Sequence, residues 1–520
     1  MSDARGGRGA SIIGAGILLS RVVGLLRQTA FAHFLGAGAA ADAYNVAFRI
    51  PNALRNLLGE GTLTASFVPV YSRLLANGDA KAARAAAHAV LGVLLLVTSG
   101  LTLIGIALAP QLTAVLAPGF TGASAELTTR LTRILFPMTG LMVVSGWCLG
   151  VQNAHRHFFW SYASAALWSV AQIALLVVGG PRAPDAVTLA VWLAWATLAG
   201  ALLQIAAQLP EVFRLIGIPR PTLAWRLPSV QQVLRNLGPV ITALGVVQLS
   251  SFIDLQIASF LPEGAPSALA YAYAILLLPI SLFGVSVASA ALPELSRDSV
   301  QDAPSVLLEH VRVGWQRILF YVIPSAVAFV TLGDYCVALL YRGGQFGADA
   351  QRQVHVVLAA YAVGLVSYSS VKLFGSAFFA LQDYRTPLRA SIASLFASAI
   401  TAFALAMPWR ASPYAAAGIA LGSALGSYVN FAVLAVGLRR RLGALYTPVM
   451  WIGTRRILWS SGVAALAGAA VRLALGTWWP GGSPRVLGLP ALGVFGVTYL
   501  VVAWWLGSTE AARWVRRPPR

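Results

Sequence analysis

Apolar runs of about twenty residues follow one another along almost the whole chain, each long enough to cross roughly 30 Å of hydrocarbon as an α-helix. Inside a bilayer the backbone N–H and C=O groups find no water, so such runs must satisfy them internally, as helices do. The chain therefore reads as an all-α integral membrane protein. Composition removes the soluble alternative. Of 520 residues, 58% are hydrophobic and only 10% are charged, whereas a soluble domain carries about a quarter. Many of the 49 Gly and 27 Pro residues lie inside the runs, which membrane helices tolerate because neighbours re-satisfy the freed backbone groups.

About fourteen spans are expected, near residues 11–35, 42–71, 86–116, 127–151, 157–180, 186–208, 232–261, 267–295, 313–340, 353–380, 388–408, 413–437, 455–477 and 486–507. Lys and Arg placement sets their orientation. One set of alternate loops holds Arg5 and Arg8; Arg73, Lys81 and Arg84; Arg156; Arg214, Arg220 and Arg226; Arg297 and Arg312; Arg385 and Arg389; Arg439 to Arg441, Arg455 and Arg456; and the tail from Arg513 to Arg520. The other set holds Arg182, Arg342, Arg352, Arg410, Arg485 and a few boundary residues. The richer set faces the cytoplasm, so both termini are expected there. The same scatter argues against nucleic-acid binding despite a net charge of +20, because the basic residues form no single patch or arm.

Other chemistries find little support. Cys148 and Cys336 lie in or beside different runs and suggest neither a disulfide nor a metal site. The six histidines are scattered, with no HExxH-like pair. Gly6, Gly7 and Gly9 follow no strand and form no phosphate loop. Arg21 interrupts the first apolar run and no small-residue cleavage site is evident, so that run reads as a retained helix rather than a signal peptide. Trp409, Trp478 and Trp479 fall at span ends, as interfacial anchors do.

The chain contains an internal repeat. Residues 32–38 read AHFLGAG and residues 258–264 read ASFLPEG. Each copy is followed by a span with an early proline, Pro51 or Pro279, and ends in Pro-x-x-Ser-Arg, at Pro69–Arg73 and Pro293–Arg297. An even number of spans separates the copies, so both have one orientation. Parallel repeats of this kind predict two lobes related by an axis along the membrane normal.

The sharpest functional signal is charge inside the spans. Arg49, Arg130 and Arg472 lie near enough to span ends to snorkel. Arg21, Arg27 and Arg55 are harder to place: Arg55 sits about 20 Å into its span at 1.5 Å per residue. Such a charge costs about 2.5–3.5 kcal/mol at mid-bilayer, so these arginines must meet a wet cavity or a partner. Asp42 and Glu60 are the nearby acids. Arg21 and Arg27, like Arg49 and Arg55, are six residues apart and point about 120° from each other on a straight helix. A kink at Gly24 or Pro51 would bring the members of each pair onto one wall. Two readings stay open: an Arg–Glu lock between helices, or an anionic ligand, for which the guanidinium fork suits a diphosphate. Later in the chain, Lys372 and Asp254 are isolated charges within spans, while Leu282 to Leu292 is uncharged.

Several segments resemble a known family. They are Ser20-Arg21-Val22-Val23-Gly24-Leu25-Leu26-Arg27, Gly36-Ala37-Gly38, Asp42 through Asn52, Leu54-Arg55, Gly59-Glu60-Gly61 and Phe67-Val68-Pro69-Val70. Ala117-Pro118-Gly119-Phe120, Ala258 to Leu261 and Gln382-Asp383-Tyr384-Arg385-Thr386-Pro387 follow in order. Together they are similar to the MurJ/MviN lipid II flippases of the multidrug/oligosaccharidyl-lipid/polysaccharide exporter superfamily.

The resemblance implies two six-helix lobes related by a pseudo-two-fold axis, at 1–215 and 216–440. Two further helices and a basic tail, 441–520, would hold an apolar groove for a polyprenyl tail. It implies a transporter in the bacterial cytoplasmic membrane, without catalytic residues, cofactor or metal. The transporter would carry lipid II, an undecaprenyl diphosphate bearing a disaccharide-pentapeptide, by alternating access. Arg21, Arg27 and Arg55 would line the cavity and contact substrate, with Asp42, Glu60 and Lys372 as further substrate-site residues. Cell-wall synthesis enzymes would be partners. The chain departs from the family where an acid and an arginine are frequent and it has Tyr273 and Ala274, and again at Gln28, where an acid is frequent. These departures leave room for another polyprenyl-linked oligosaccharide, or for a flippase-derived scaffold that transports nothing. A membrane glycosyltransferase would need carboxylates at the membrane face, and the outward loops offer few: Glu126, Asp185, Glu263 and Asp349.

Overall fold

The computed structural model describes residues 2–157, 159–288, 304–479, 481–508 and 510–512. The second copy of the Pro-x-x-Ser-Arg motif, Pro293–Arg297, lies outside them, as do the side chains of Arg5, Arg8 and Glu60. All regular elements among the described residues are helices, with one isolated β-bridge between Gly343 and Phe346. Its helices fall into two compact units, Met1–Phe260 and Leu261–Arg520.

The first unit comprises α1 (Ser2–Leu35), α2 (Ala39–Leu58), α3 (Glu60–Ala76), α4 (Ala80–Ala107), α5 (Ala109–Leu116), α6 (Gly122–Leu135), α7 (Pro137–Ala154), α8 (Phe159–Gly179), α9 (Ala186–Ile216) and α10 (Pro228–Ala258). The second begins with α11 (Ala265–Pro279), which continues into a π-helical turn, Ile280–Val285. It proceeds through α12 (Pro304–Thr331), α13 (Gly333–Tyr341), α14 (Ala348–Val363), α15 (Leu365–Ala380), α16 (Arg385–Ala406), α17 (Ala416–Leu442), α18 (Pro448–Trp478) and α19 (Pro484–Trp505).

Among the described residues, ten helical segments are long and apolar enough to cross a bilayer, and the pair α14–α15, bent by 44°, makes an eleventh. The rest of the expected spans coincide with α1, with α2 and α3 together, and with α10.

The expected single span at 42–71 is two helices. Gly59 separates α2 from α3, with φ −95° and ψ −136°. A Cβ there would fall 2.4 Å from the Arg55 carbonyl oxygen, so only glycine permits the break. Similar breaks divide four other expected spans, at Leu108, at Phe136, at Leu332 and at Gly364.

In the first unit, a core of Leu63, Phe67 and Tyr71 on α3, Leu91 and Leu94 on α4, Trp147 on α7 and Val230 on α10 packs the helices together. Beside it runs a buried polar network. The Gln208 amide donates to Ser164 Oγ at 2.9 Å, the Gln204 amide donates to Ser145 Oγ at 2.8 Å, and Ser145 Oγ donates to Gln208 Oε1 at 3.0 Å. Interhelical bonds of this type hold helices together where lipid supplies no hydrophobic drive.

The second unit uses small residues for the same purpose. Gly418, Gly422 and Gly426 recur every four residues along one face of α17. A Cβ on each would lie 2.7, 2.4 and 2.6 Å from Leu405, Ala402 and Ser398 of α16. The spacing is that of a small-xxx-small interface, in which backbones approach closely. Arg472 departs from the snorkelling expectation. It pairs with Asp334 at 3.1 Å and lies 5.4 Å over the Tyr335 ring, tying α18 to α13. At the α15–α16 corner, Asp383 accepts from the Arg385 and Thr386 N–H groups and from Arg441.

Candidate functional site

Two of the three sequence-predicted arginines, Arg27 and Arg55, converge on one aromatic ring. The guanidinium of Arg27, on α1, lies 4.7 Å from the centroid of Trp168, on α8. That of Arg55, on α2, lies 5.7 Å from the same centroid. Both arginines are half-buried, and Trp168 is 8% exposed.

Helix geometry explains the meeting. A tight turn in which Gly36 takes a φ of 65° separates α1 from α2. Along the helix axes, Arg27 lies about 12 Å before the end of α1 and Arg55 about 24 Å after the start of α2. Side chains tilt toward their own helix N-terminus. Arg55 therefore reaches back toward the turn and Arg27 leans away from it, which closes the axial gap between them.

The ring they share is held rigidly. Trp168 Nε1–H donates to the Thr197 carbonyl on α9 at 3.1 Å, and the Thr197 hydroxyl lies 2.7 Å from the Tyr44 hydroxyl on α2. Tyr44 and Phe48, one helical turn apart, stack at 6.1 Å, and Phe48 stacks on Trp168 at 6.1 Å. Met138, Met142 and Ala201 close the apolar side. Two cations thus rest on the rim of an apolar, aromatic wall. The attraction of cation for ring is worth about 0.5–2 kcal/mol per contact, weaker than a charge-assisted bond to phosphate.

The other expected residues are not all drawn into this cluster. Arg21 is exposed on α1, six residues before Arg27, without a polar partner among the described residues. The expected kinks do not interrupt the helices: α1 continues through Gly24 and α2 through Pro51. Asp42 is 2% exposed in the first turn of α2, where the helix N-terminus favours a negative charge. Its Cα stands about 20 Å along α2 from that of Arg55. Glu60 opens α3, and its side chain lies outside the described residues, so the Arg55–Glu60 lock finds no description here. Lys372 belongs to the second unit, exposed on α15, with its carbonyl accepting from the Ser376 hydroxyl at 3.0 Å. Tyr273, at one of the departures, is 46% exposed and meets Tyr361 edge-on at 5.9 Å. Among the described residues no group of three His, Cys, Asp or Glu side chains could hold a metal.

Sequence reasoning passed over Trp168, Tyr44, Phe48 and Thr197. One signal was available: Trp168 lies mid-helix in α8, away from the span ends where tryptophan normally anchors.

Outside the spans, the end of α7 carries a histidine cluster. His155 Nε2 lies 3.0 Å from the Tyr71 hydroxyl, and His157 Nδ1 lies 2.8 Å from Glu211 Oε1. Burial, and then the neighbouring His157, hold the His155 pKa below the usual histidine range.

Comparison with known proteins gives concordant matches. The family model described as lipid II flippase MurJ matches residues 31–486. A Burkholderia cenocepacia protein named lipid II flippase MurJ is 34% identical over 439 residues, covering 83% of each chain. A solved structure titled lipid II flippase MurJ, inward closed conformation, superposes with a TM-score of 0.79 at 20% identity, over 97% of this chain and 99% of that one. A multidrug resistance MATE family transporter in an inward-facing conformation follows with a TM-score of 0.63 at 17% identity, over 82% and 95%. The two structural matches concern the fold alone.

Proposed function

The chain belongs to the lipid II flippase MurJ family, and on that premise we propose that it carries lipid II from the cytoplasmic to the outer leaflet, with Arg27 and Arg55 receiving the diphosphate. It is a multi-pass membrane transporter, not an enzyme. The observation that carries the site assignment is the pair of guanidiniums gathered on Trp168. Two cations held side by side have their natural ligand in a group with two adjacent anionic centres. Guanidinium presents a planar fork to phosphate oxygens and is less strongly hydrated than ammonium, so it suits a partly dry site.

The finer picture belongs to the same reading. The chain makes fourteen crossings, with both termini in the cytoplasm of a bacterial cell and the protein in its inner membrane. Two six-helix lobes, 1–215 and 216–440, work by alternating access, and 441–520 supplies the tail groove. Arg21 offers the headgroup a third cation. Asp42 and Glu60 balance charge during the cycle, and Lys372 is a further substrate-binding cation. Cell-wall synthesis enzymes act on the delivered precursor.

The deciding experiment is replacement in the cell: the gene is expressed while the host lipid II flippase is depleted. Sustained cell-wall synthesis is expected, with loss of rescue by Arg27→Ala and by Arg55→Ala. No rescue by a well-inserted wild-type protein would overturn the reading. The departure at Tyr273 and Ala274 favours one rival, export of a different polyprenyl-linked oligosaccharide. Direct flipping assays on the two lipids, in reconstituted vesicles, separate them.

A further inference from the structure

Arg27 and Arg55 carry like charges, yet both lie against one indole, at 4.7 and 5.7 Å from its centroid. Like charges on long, flexible stems would otherwise splay apart. No ion pair to Arg27 exists among the described residues. A carboxylate in the place of the ring would also gather the arginines, but it would cancel charge and compete with an incoming anion. An indole attracts cations through its quadrupole and carries no net charge.

The ring cannot follow the arginines if they move. Its N–H is fixed to the Thr197 carbonyl, Phe48 stacks against it, and α9 presses on it from behind. A Cβ at Gly200 would fall 2.9 Å from the Trp168 carbonyl oxygen and 3.1 Å from its Cδ1, so that approach depends on glycine.

We propose that Trp168 is a positioning residue for headgroup capture: the fixed indole holds Arg27 and Arg55 together and hands them to the diphosphate when it arrives. The exchange runs toward the ligand because bidentate, charge-assisted bonds to phosphate oxygens are stronger than cation–ring contacts. The gain lies in preorganisation, since the guanidiniums need not be collected at the moment of binding. This inference rests on the lipid II reading and names the residue that prepares its site.

The test uses the full-length protein in lipid nanodiscs for lipid II affinity and in vesicles for flipping. The variants are Trp168→Phe, Trp168→Leu, Gly200→Ala, Arg27→Ala and the double variant Arg27→Ala/Trp168→Leu. Phenylalanine keeps a π face, so Trp168→Phe should lose no more than about threefold in affinity, while Trp168→Leu, apolar but without the quadrupole, should lose roughly tenfold. Gly200→Ala, which displaces the ring without altering any charged residue, should weaken binding in the same direction. The double variant should lose less than the sum of the two single losses, because part of the indole's effect acts through Arg27.

Equal losses for Trp168→Phe and Trp168→Leu would reduce Trp168 to packing and overturn the proposal. Additive losses in the double variant would overturn it as well, as would unchanged affinity in a folded Trp168→Leu protein. If Trp168→Leu fails to fold, Gly200→Ala and Trp168→Phe decide: a folded Gly200→Ala protein with wild-type affinity counts against the proposal. Normal flipping by Arg27→Ala and Arg55→Ala would instead bring down the site assignment itself, so the two failures are distinguishable.

Discussion

At the scale of single residues, the candidate site is built of cations that are costly to hold in a membrane and are held nonetheless. Arg27→Ala and Arg55→Ala should insert and fold, because removing a cation relieves a desolvation cost. Each should weaken lipid II binding by about 1.5–3 kcal/mol, the usual worth of a hydrogen bond to a charged group, or roughly ten- to a hundredfold. Lysine at either position should recover only part of that, since it keeps charge but not the fork. Titration of lipid II onto each variant checks both statements, and wild-type affinity in stable alanine variants would contradict them. The arginines were legible in the sequence because a charge in an apolar run is conspicuous. Trp168 was not, because its role exists only where α1, α2 and α8 come together. Outside the membrane, His155 gives a pH prediction. Its pKa is lowered by burial and by His157, so below its ordinary value of about 6.5 the unfolded chain binds the proton more readily than the folded one. Its contribution to stability is therefore complete above that pH and declines as pH falls through the lowered folded value. His155→Gln should flatten the acid limb of a thermal-stability profile measured from pH 7 to pH 5, and an unchanged limb would remove His155 as its cause.

At the scale of helices, glycines decide where the chain breaks and how closely it packs. Periodicity located most helices within a few residues, since apolar length reports on bilayer thickness. It did not find the break at Gly59, because a break needs only one residue without a Cβ and leaves hydropathy unchanged. Gly59→Ala would set a methyl group 2.4 Å from the Arg55 carbonyl oxygen. The end of α2 must then shift, and Arg55 with it, so flipping should fall further than thermal stability does. Equal declines would point to a general packing defect instead. Gly422 tests the α16–α17 interface. A Cβ there would lie 2.4 Å from the Ala402 nitrogen, and overpacking of this kind costs about 1–3 kcal/mol. Gly462, on α18, has nothing within 4 Å of its would-be Cβ, so Gly462→Ala should be neutral or slightly stabilising through helix propensity. Thermal unfolding of the two alanine variants in lipid nanodiscs makes the comparison, and a Gly422→Ala protein as stable as wild type would show that α16 yields freely.

At the scale of the whole molecule, the candidate cations and the topology meet in the same few segments. Besides the ten apolar segments and the bent pair, the expected spans are α1, α2 with α3, and α10. They carry Arg21, Arg27, Asp42, Arg49, Arg55, Arg235 and Asp254. In α2 the charges Asp42, Arg49 and Arg55 lower the mean hydropathy of the segment, which is one of the fourteen expected crossings. Their number fixes the sidedness of everything downstream, which makes topology the prediction that tests the molecule as a unit. If α1, the α2–α3 pair and α10 all cross, an even count returns the C-terminus to the side on which the chain began. Lys and Arg placement then puts that side in the cytoplasm. A reporter active only in the cytoplasm should work when fused after Arg520 and between Arg439 and Arg456. A reporter active only outside should work between Gly343 and Ala350. If one of the charged segments lay along the surface instead of crossing, every loop after it would change sides. Fusions beyond α10 would then read inverted while those before α1 stayed as expected, and the position of the inversion would identify the segment that fails to cross.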